Sequence, residues 1–267
     1  TVDAGQITLH VRAPVGSRIE TTAAEFARIQ GHIRTLLPKG EIVAMADNIG
    51  LPISSINSIY SNNGTIGPQD GDILISLRKG HRPTAEHVAL LRRELPKAFP
   101  GSTFSFLPAD MTSQILNFGA PAPIDIQISG HDSIANAAYA EKLLREIRTI
   151  PGLVDARIHQ TARSPQLNID VDRNRIGRYG LTERDVTNSI ATTLAGSSQT
   201  APVFFLNPEN GVSYSVVAQA PEYSVGSMSA LSNVPVSGAG AADSQVLGGI
   251  STIYRTNTAP VGSRYDI

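Results

Sequence analysis

The sequence contains no cysteine, which excludes disulfide bonds, thiolate metal sites and a cysteine nucleophile. Tryptophan is also absent and aromatic residues make up 5% of the chain, so the apolar interior must be built from Ile, Leu, Val and Ala. Charged residues make up 17% and the net charge is −1, which argues against a nucleic-acid-binding protein. No apolar run reaches the roughly 18 residues of a membrane span and the first residues show no signal-peptide pattern, so we expect the chain as given to be soluble.

Motifs for catalysis or cofactor binding are missing as well. The six histidines show no compact metal-site spacing, no nucleophile elbow GxSxG occurs, and the GTIG of residues 64–67 lacks the strand and helix that a phosphate-binding loop needs. Asp170 and Asp172 lie two apart on a predicted strand and therefore share a face, which suits either ion pairing with the arginines that follow or metal and acid–base chemistry. We predict no enzyme, no catalytic residue, no resident metal and no cofactor.

The first part of the chain is rich in alternating apolar patterns and helical stripes. Its order is strand, helix, strand, a long loop, then strand, helix, strand, which is the split βαβ arrangement of a ferredoxin-like fold. The predicted strands cover residues 5–14, 41–46, 72–78 and 102–107. A capping box at Thr22 and Glu25 and the dipeptide Pro83-Thr84 predict the two helix starts. The fold class is therefore α+β.

A second unit begins after a connector rich in Pro and Gly, and it is only half complete. It comprises a predicted strand at 124–129, a helix capped by Ser133 and a strand at 154–159. After Pro165 the pattern changes, with a strand at 166–172, a capping box at Thr182 and Asp185 and later strands at 202–206, 213–219 and 249–255. Residues 153–196 are thus a junction between unlike modules.

The loop of residues 47–71 is irregular but carries many apolar side chains. Loops of this length with apolar anchors are either functional or packed on their own module.

Two βαβ modules also raise the possibility of RNA binding, but RNA-recognition domains stack bases on aromatic residues of their strands, and strands 5–14 and 72–78 contain none.

Several segments resemble, in order, the second large periplasmic loop of resistance-nodulation-division (RND) efflux transporters. The junction carries the most specific likeness: PGLV at 151–154, HQ at 159–160, PQLNIDVDRNRIGRYGLTERDV at 165–186 and LAGS at 194–197. The likeness extends to DAGQITLHVRAPVGSRIETT at 3–22, APIDIQISG at 122–130 and IYRTNTAPVGSRYDI at 253–267.

The resemblance implies ferredoxin-like split βαβ porter subdomains with an inserted α+β docking subdomain. We expect residues 1–110 to form a complete first porter subdomain and 111–164 the first half of a second. Residues 165–259 would be the inserted docking subdomain, and 260–267 the start of the return to the second porter subdomain. The chain would then be a fragment of a periplasmic loop whose remaining part lies elsewhere.

The resemblance also implies a function and partners. Such a loop belongs to a proton-driven inner-membrane pump that works as a homotrimer and passes substrates towards an outer-membrane channel, with a periplasmic adaptor protein around it. The proton-relay residues would lie in membrane helices outside this chain, and the loop itself would be in the periplasm.

The positions that match the phenylalanines of the family's substrate pocket carry aliphatic side chains here, at Ala44, Ile49, Leu51 and Leu74. By this resemblance the substrate-binding candidates are Ala44, Ile49, Leu51, Ile56, Ile59, Tyr60 and Leu74. Aliphatic lining favours burial of apolar ligand surface, worth about 25 cal/mol per Å². The copper and silver branch uses methionines, and here only Met111 matches, beside His10 and Asp70. We therefore expect apolar or amphiphilic substrates, as in multidrug resistance, ahead of metal ions.

Two other functions stay open from the sequence. Tandem βαβ modules could form a free-standing small-molecule sensor that binds its ligand between them. Asp170 and Asp172 could serve an enzyme. A reading frame of about a thousand residues with about twelve apolar spans would indicate the pump.

Overall fold

The computed structural model describes residues 3–51, 65, 67–110, 115, 122–160, 163–198, 200–241 and 243–258. These residues form two compact units. The first contains the chain up to 165 together with 257 and 258, and the second contains 166–256. Among the described residues, no helix combines the length and apolarity needed to cross a lipid bilayer.

The first unit is built on a four-stranded sheet with helices on one face. Its elements are β1 (Gln6–Arg12), α1 (Ile19–Leu36), β2 (Ile42–Ile49), β3 (Asp70–Leu77), α2 (Thr84–Ala98), β4 (Thr103–Leu107) and α3 (Ser133–Ile147). The sheet order is β2-β3-β1-β4 and the paired strands run antiparallel. This is the split βαβ topology predicted from the sequence, and the α+β fold class is confirmed.

Alternation along the strands separates two faces of the sheet. The core face packs against α1 and α2, and the opposite face, here called the open face, carries no helix of the two. Leu9 on β1 and Ile73 on β3 are directly opposite each other and fully buried, and they pack with the apolar stripes of α1 and α2. The stripe of α1 is buried at Phe26, Ile29 and Ile33, as its spacing predicts. The next residues along each strand point to the opposite face, because side chains alternate with a period of two.

Two local predictions in this unit are wrong. Helix α1 begins at Ile19 rather than after Thr22, which lies buried in the first turn and donates its hydroxyl to the carbonyl of Arg18. The place of His87 beside the predicted helix start at Pro83-Thr84 predicts a solvated side chain, but His87 is 3% exposed. Its Nε2 lies 2.7 Å from Glu41 Oε2, an ion-pair distance without the angles of a hydrogen bond. The histidine takes a core position of α2 that is one turn before Leu91.

Helix α3 forms where predicted, but the strands expected on either side of it do not. Residues 124–129 and 154–159 have no strand pairing in the described part of the chain. Alternation indicates a strand only where a neighbour can accept and donate its backbone hydrogen bonds, and no described segment does so here. The cap of α3 is Asp132 rather than Ser133, since its Oδ1 accepts from the amides of Ile134 and Ala135.

The second unit contains short elements around a smaller core. They are β5 (Ser164–Val171, which begins in the first unit), α4 (Arg173–Arg178), α5 (Glu183–Ala195), β6 (Val203–Leu206), β7 (Ser213–Val216), a 3₁₀ turn (Glu222–Ser224), α6 (Met228–Ser232), β8 (Pro235–Val236), β9 (Gln245–Val246), α7 (Leu247–Ile250) and β10 (Ser251–Thr258). Its described residues form three two-stranded sheets: β10-β5, β6-β7 and β8-β9.

Helix caps organise the second unit. The predicted capping box is present at the start of α5, where the side chains of Thr182 and Asp185 each accept from the other's backbone amide. Asp172 caps α4 by accepting from the amides of Asn174 and Arg175, so its role there is structural. The core comprises Ile176, Leu181, Val186, Leu231, Val234, Val236, Leu247 and Ile250.

Candidate functional site

The open face of the four-stranded sheet carries a line of charged and polar side chains. Strand register places His10 of β1 opposite Asp72 of β3, and Arg12 opposite Asp70. On the other side of β1, Ser105 of β4 is opposite His10. Facing residues of neighbouring strands have Cβ atoms about 5 Å apart, so this register alone brings each base to an acid.

The pairs formed by this register are short and largely dry. His10 Nδ1 lies 2.8 Å from Asp72 Oδ1, and Arg12 Nε donates to Asp70 Oδ1 at 2.6 Å. His10 is 2% exposed, Asp70 0% and Asp72 4%. Proteins tolerate a buried carboxylate when hydrogen-bonding partners replace its hydration. The contacts with Arg12 and His10 therefore explain how Asp70 and Asp72 can be buried.

Two arginines, one on β1 and one on α2, bind the segment 155–159. Arg12 NH1 and NH2 donate to the carbonyls of Ile158 and His159 at 3.0 and 2.9 Å. Arg92 of α2 forms a two-pronged pair with Asp155 at 2.8 and 2.7 Å, and Asp155 also accepts from the amide of Phe106. The hydrogen bond to Asp155 raises the pKa of Arg92 above its usual value. Fork-shaped pairs of this kind fix geometry as well as charge.

Asp155 adopts a left-handed backbone with φ of 57°, the only such non-glycine residue in the described part of the chain. Aspartate tolerates this region better than most residues. The turn aims its carboxylate back at Arg92, so the backbone conformation and the ion pair support each other.

Several buried polar atoms in this region have no hydrogen-bond partner within the described residues. They include His10 Nε2, Ser105 Oγ, Arg157 Nε and His159 Nδ1. Burial, and after it the positive charge of Arg12, lowers the pKa of Arg157. The same two causes, with Arg157 next, lower the pKa of His159, which favours its neutral form.

A cleft of about 170 Å³ opens between β4 and the segment 155–158. Ser105, Asp155 and three arginines, Arg12, Arg148 and Arg157, contribute to its walls. The acids and bases on the sheet pair with one another, whereas the cleft is lined by three arginines and one carboxylate. Among the described residues, no group of three or more His, Asp or Glu side chains is arranged to hold a metal ion.

The substrate-binding residues expected from the resemblance are only partly brought together. Register places Ala44 opposite Ser76, and Leu74 opposite Ala46, so both lie on the open face with His10, and Leu74 is half exposed. Ile49 lies on the other face and packs against the core, so the structure does not join it to them. Leu51 is exposed. Ile56, Ile59, Tyr60 and Met111 lie outside the described residues.

Sequence reasoning missed Arg12, Asp72, Arg157 and His159. A signal for the first two was present, because Thr8, His10 and Arg12 alternate on β1 while Asp70 and Asp72 alternate on β3. Pairing β1 with β3 in the split βαβ order would have placed these charges together. Arg157 and His159 lie within the segment 154–159, whose alternation predicts a strand that does not pair among the described residues, so periodicity does not indicate their position.

Comparison with known proteins places this geometry in context. The model of the AcrB/AcrD/AcrF family matches residues 1–267. The cobalt-zinc-cadmium resistance protein CzcA of Cupriavidus metallidurans is 28% identical over 171 residues, covering 62% of this chain and 16% of that protein. The nickel and cobalt resistance protein CnrA of the same species is 28% identical over 159 residues, covering 55% of this chain and 15% of its own length.

Solved structures show the same fold. A crystal structure of a heavy metal efflux pump superposes with a TM-score of 0.73 at 22% identity, covering 96% of this chain and 25% of that chain. A second crystal form gives the same TM-score at 23% identity and covers 97% of this chain and 26% of that chain. The chain spans about a sixth of the length of the curated relatives quoted above.

Proposed function

Because the chain belongs to the AcrB/AcrD/AcrF family of RND transporters, we propose that it is the periplasmic portion of a proton-driven pump that exports divalent metal cations. Divalent cations are proposed as the substrate because two relatives are named as resistance proteins for cobalt, zinc and cadmium and for nickel and cobalt. The first of them is matched over 62% of this chain. The pump as a whole would sit in the inner membrane with this portion in the periplasm.

This proposal reverses the ranking that the resemblance suggested. Apolar or amphiphilic substrates and multidrug resistance receive no support from the relatives quoted, whose names refer to metals. The open face of the sheet also differs from an apolar lining: Ala44 and Leu74 share it with His10, Arg12, Asp70 and Asp72. Aliphatic residues at pocket-matching positions therefore do not imply an apolar substrate.

Residue chemistry favours divalent cations over copper(I) or silver. Soft monovalent ions prefer thioether and thiolate ligands, whereas imidazole and carboxylate suit divalent ions. The chain has no cysteine and three methionines, of which Met45 packs against the first core. Histidine and carboxylates on the open face are the better match in kind.

Domain assignment is part of the same proposal. Residues 1–110 would be the first porter subdomain, 111–164 half of the second, 165–259 the docking subdomain and 260–267 the return. The division into units at 165/166 and 256/257 supports an insertion of about this extent. By analogy with its family, the complete pump would assemble as a homotrimer with a periplasmic adaptor and an outer-membrane channel. The family match favours this arrangement over a free-standing sensor.

Deletion of the gene that encodes this chain, in its own host, tests the proposal. Growth and cell-associated metal are measured with cobalt, zinc, cadmium and nickel, with copper(I), and with an amphiphile such as deoxycholate. We expect hypersensitivity and higher retention of one or more divalent cations, restored by the intact gene. Sensitivity to the amphiphile alone, with unchanged metal content, would show the proposal to be wrong.

A further inference from the structure

Two short loops lie side by side at one end of the first unit. Residues 37–41 connect α1 to β2, and residues 78–83 connect β3 to α2. The loops leave paired strands, and the amide of Arg78 donates to the carbonyl of Glu41 at 2.9 Å. Because paired strands are about 4.8 Å apart, side chains of the two loops face the same region of solvent.

This end of the unit carries an exposed basic cluster. Its exposed cationic side chains are Arg34 in the last turn of α1, Lys39 in the first loop, and Arg78, Lys79 and Arg82 in the second. Arg82 has a carboxylate near it, since its Nε lies 3.8 Å from Glu41 Oε1. The other four make neither an ion pair nor a side-chain hydrogen bond with any described residue, and together they are called the basic rim.

Acidic side chains at the same end do not neutralise the basic rim. Glu41 is 7% exposed and its Oε2 lies 2.7 Å from His87 Nε2. Asp3 accepts from the amide of Thr84. Glu86, in the first turn of α2, is the exposed carboxylate that remains among the described residues of this end. A chain with a net charge of −1 therefore has a local excess of positive charge here, which attracts anions.

The basic rim projects into open space and does not surround a cavity. Gly40 and Gly80 follow Lys39 and Lys79, with φ of 83° and 77°. No described atom lies within 4 Å of the position that a Cβ would take on either glycine. Small anions are held in concave sites by converging donors, whereas cations on two projecting loops and a helix end suit an extended anionic surface.

From this arrangement we propose that the basic rim contacts the anionic headgroups of a lipid bilayer. Lysine and arginine are attracted to such a surface within about one Debye length, about 8–10 Å at physiological salt. The inference rests on the proposed function, because the periplasmic portion of an inner-membrane pump has a bilayer within reach. The contact would hold the first unit against the membrane surface and is separate from binding of the exported cation.

The path of the chain agrees with this orientation. Residues 3–5 lie at the same end as the basic rim, because Leu77 donates to the carbonyl of Gly5 at 2.7 Å and Thr84 donates to Asp3. A membrane segment that preceded Asp3 in the whole protein would therefore enter the first unit beside the basic rim.

Cosedimentation of the purified 267-residue chain with lipid vesicles tests the contact. One set of vesicles contains equal parts of phosphatidylglycerol and phosphatidylethanolamine, and in the other set zwitterionic phosphatidylcholine replaces the phosphatidylglycerol. We expect a larger bound fraction with phosphatidylglycerol, and a decrease as sodium chloride is added, because salt screens exposed charges. No binding to either set, or equal binding to both, would overturn the proposal.

A four-site variant locates the binding surface. Arg34→Gln, Lys39→Gln, Arg78→Gln and Lys79→Gln together should raise the apparent Kd for phosphatidylglycerol vesicles at least about tenfold, since each cation near the surface contributes to binding. Circular dichroism checks that this variant is folded. If it is not, Lys39→Gln with Lys79→Gln alone should still weaken binding about fivefold or more.

The matched control removes the same charge from exposed side chains elsewhere. It combines Lys142→Gln, Arg145→Gln, Arg178→Gln and Arg184→Gln, on α3, α4 and α5. This control should bind the vesicles as the unmodified chain does. Equal affinities of the four-site variant and its control would show that net charge, and not the basic rim, determines binding, and would overturn the proposal.

Inorganic phosphate distinguishes a lipid surface from a free anion. At equal ionic strength, phosphate should displace the chain from the vesicles no more than chloride does. Displacement by phosphate but not by chloride would indicate a site for a free oxyanion and would contradict the proposal. None of these results changes the metal sensitivity of the gene deletion, so failure of the lipid contact and failure of cation export are distinguishable.

Discussion

Arg12 contacts three acceptors that belong to different parts of the first unit. Its Nε binds the carboxylate of Asp70, and its two terminal nitrogens bind the carbonyls of Ile158 and His159. Asp70 is fully buried and Arg12 is 14% exposed, so solvent screens this pair little. The side chain thereby joins two strands of the sheet to a segment about 150 residues away along the chain.

Replacing this arginine should destabilise the first unit strongly. Arg12→Ala removes a charged partner from a buried carboxylate, a change that costs about 3–5 kcal/mol in comparable pairs, and we expect about 3 kcal/mol here. Urea unfolding followed by circular dichroism gives the free energy of unfolding. Arg34→Ala, on the exposed side of α1, is the control and should change it by less than about 0.5 kcal/mol. A similar small change for Arg12→Ala would show that the network contributes nothing.

Asp3 stabilises the start of α2 in a pH-dependent way. Its carboxylate accepts from the hydroxyl of Thr84, from the amide of Thr84 at 2.7 Å and from the amide of Gly5 at 3.0 Å. These hydrogen bonds, led by the Thr84 hydroxyl, lower the pKa of Asp3 to about 2. The folded pKa is thus below the unfolded value of about 3.9.

A carboxylate with a depressed pKa stabilises the fold above its unfolded pKa, and that contribution is lost as pH falls through the folded pKa. Asp3→Asn should therefore reduce the stability of the first unit at pH 5, and the difference from the unmodified chain should shrink between about pH 4 and pH 2. Unfolding free energies measured across that range check this. Glu209→Gln, an exposed carboxylate of the second unit, is the control. A pH-independent difference would contradict the assignment.

How far the candidate site was predictable can be argued from single residues. His10 and Asp70 were already singled out by family resemblance, and the alternation on β1 and β3 places Arg12 and Asp72 beside them once the strand order is known. Arg157 and His159 were beyond reach, since their positions depend on the contacts of Arg12 and Arg92 rather than on any local pattern. Family resemblance groups Ile49 with Ala44 and Leu74, whereas alternation along β2 puts Ile49 on the face opposite to Ala44, where it packs against the core.

At the scale of elements, the two predicted capping boxes had opposite outcomes. Thr182 and Asp185 form the box at α5, whereas Thr22 and Glu25 do not, because α1 starts one turn earlier. The motif requires only a hydroxyl and an acid three residues apart, and the same spacing occurs inside a first turn. What distinguishes them is the preceding residue: Leu181 before α5 is buried and fixes where the helix begins.

The box at α5 should make a measurable contribution. Thr182→Ala removes the side chain that accepts from the amide of Asp185 and should reduce the stability of the second unit by about 1 kcal/mol. Thr187→Ala, on the exposed face of the same helix, is the matched control and should be neutral or slightly stabilising, because alanine has the higher helix propensity. Chemical unfolding of both variants compares them. Equal effects would show that the cap contributes no more than propensity does.

Strands were predictable where a partner strand is present. All four strands of the first sheet follow their alternating patterns to within a few residues, since each finds neighbours in the same unit. The alternating segments 124–129 and 154–159 do not pair within the described residues. An apolar alternation specifies which face is buried, but the hydrogen-bonded ladder must come from a second segment.

For the whole molecule, the sequence identified the family, but the substrate class that it ranked first finds no support in the names of the relatives quoted. Family recognition depended on motifs spread over most of the chain, and the match of residues 1–267 to the family model agrees with it. Substrate ranking depended on a few pocket positions, of which Ile56, Ile59, Tyr60 and Met111 lie outside the described residues. A few pocket residues identify a substrate less well than a likeness along all 267 residues identifies a family, because one fold can serve several substrates.

The two units have separate cores, and each core should be sensitive to its own cavity. Leu91 is fully buried in the first core and Leu247 in the second. Leu91→Ala and Leu247→Ala should each cost about 2–5 kcal/mol through lost burial and an unfilled cavity. Because no buried residue is shared between the two clusters, we expect each loss to be confined to the unit that contains the substitution.

Hydrogen exchange followed by mass spectrometry resolves this, since it reports local stability peptide by peptide. Leu91→Ala should speed exchange in β1, β3 and α2 while leaving α5 and α7 as in the unmodified chain, and Leu247→Ala should do the reverse. The two variants are matched in chemistry and serve as each other's control. If either one speeds exchange equally in both units, the chain unfolds as a single cooperative body, and the separate cores do not correspond to separate folding units.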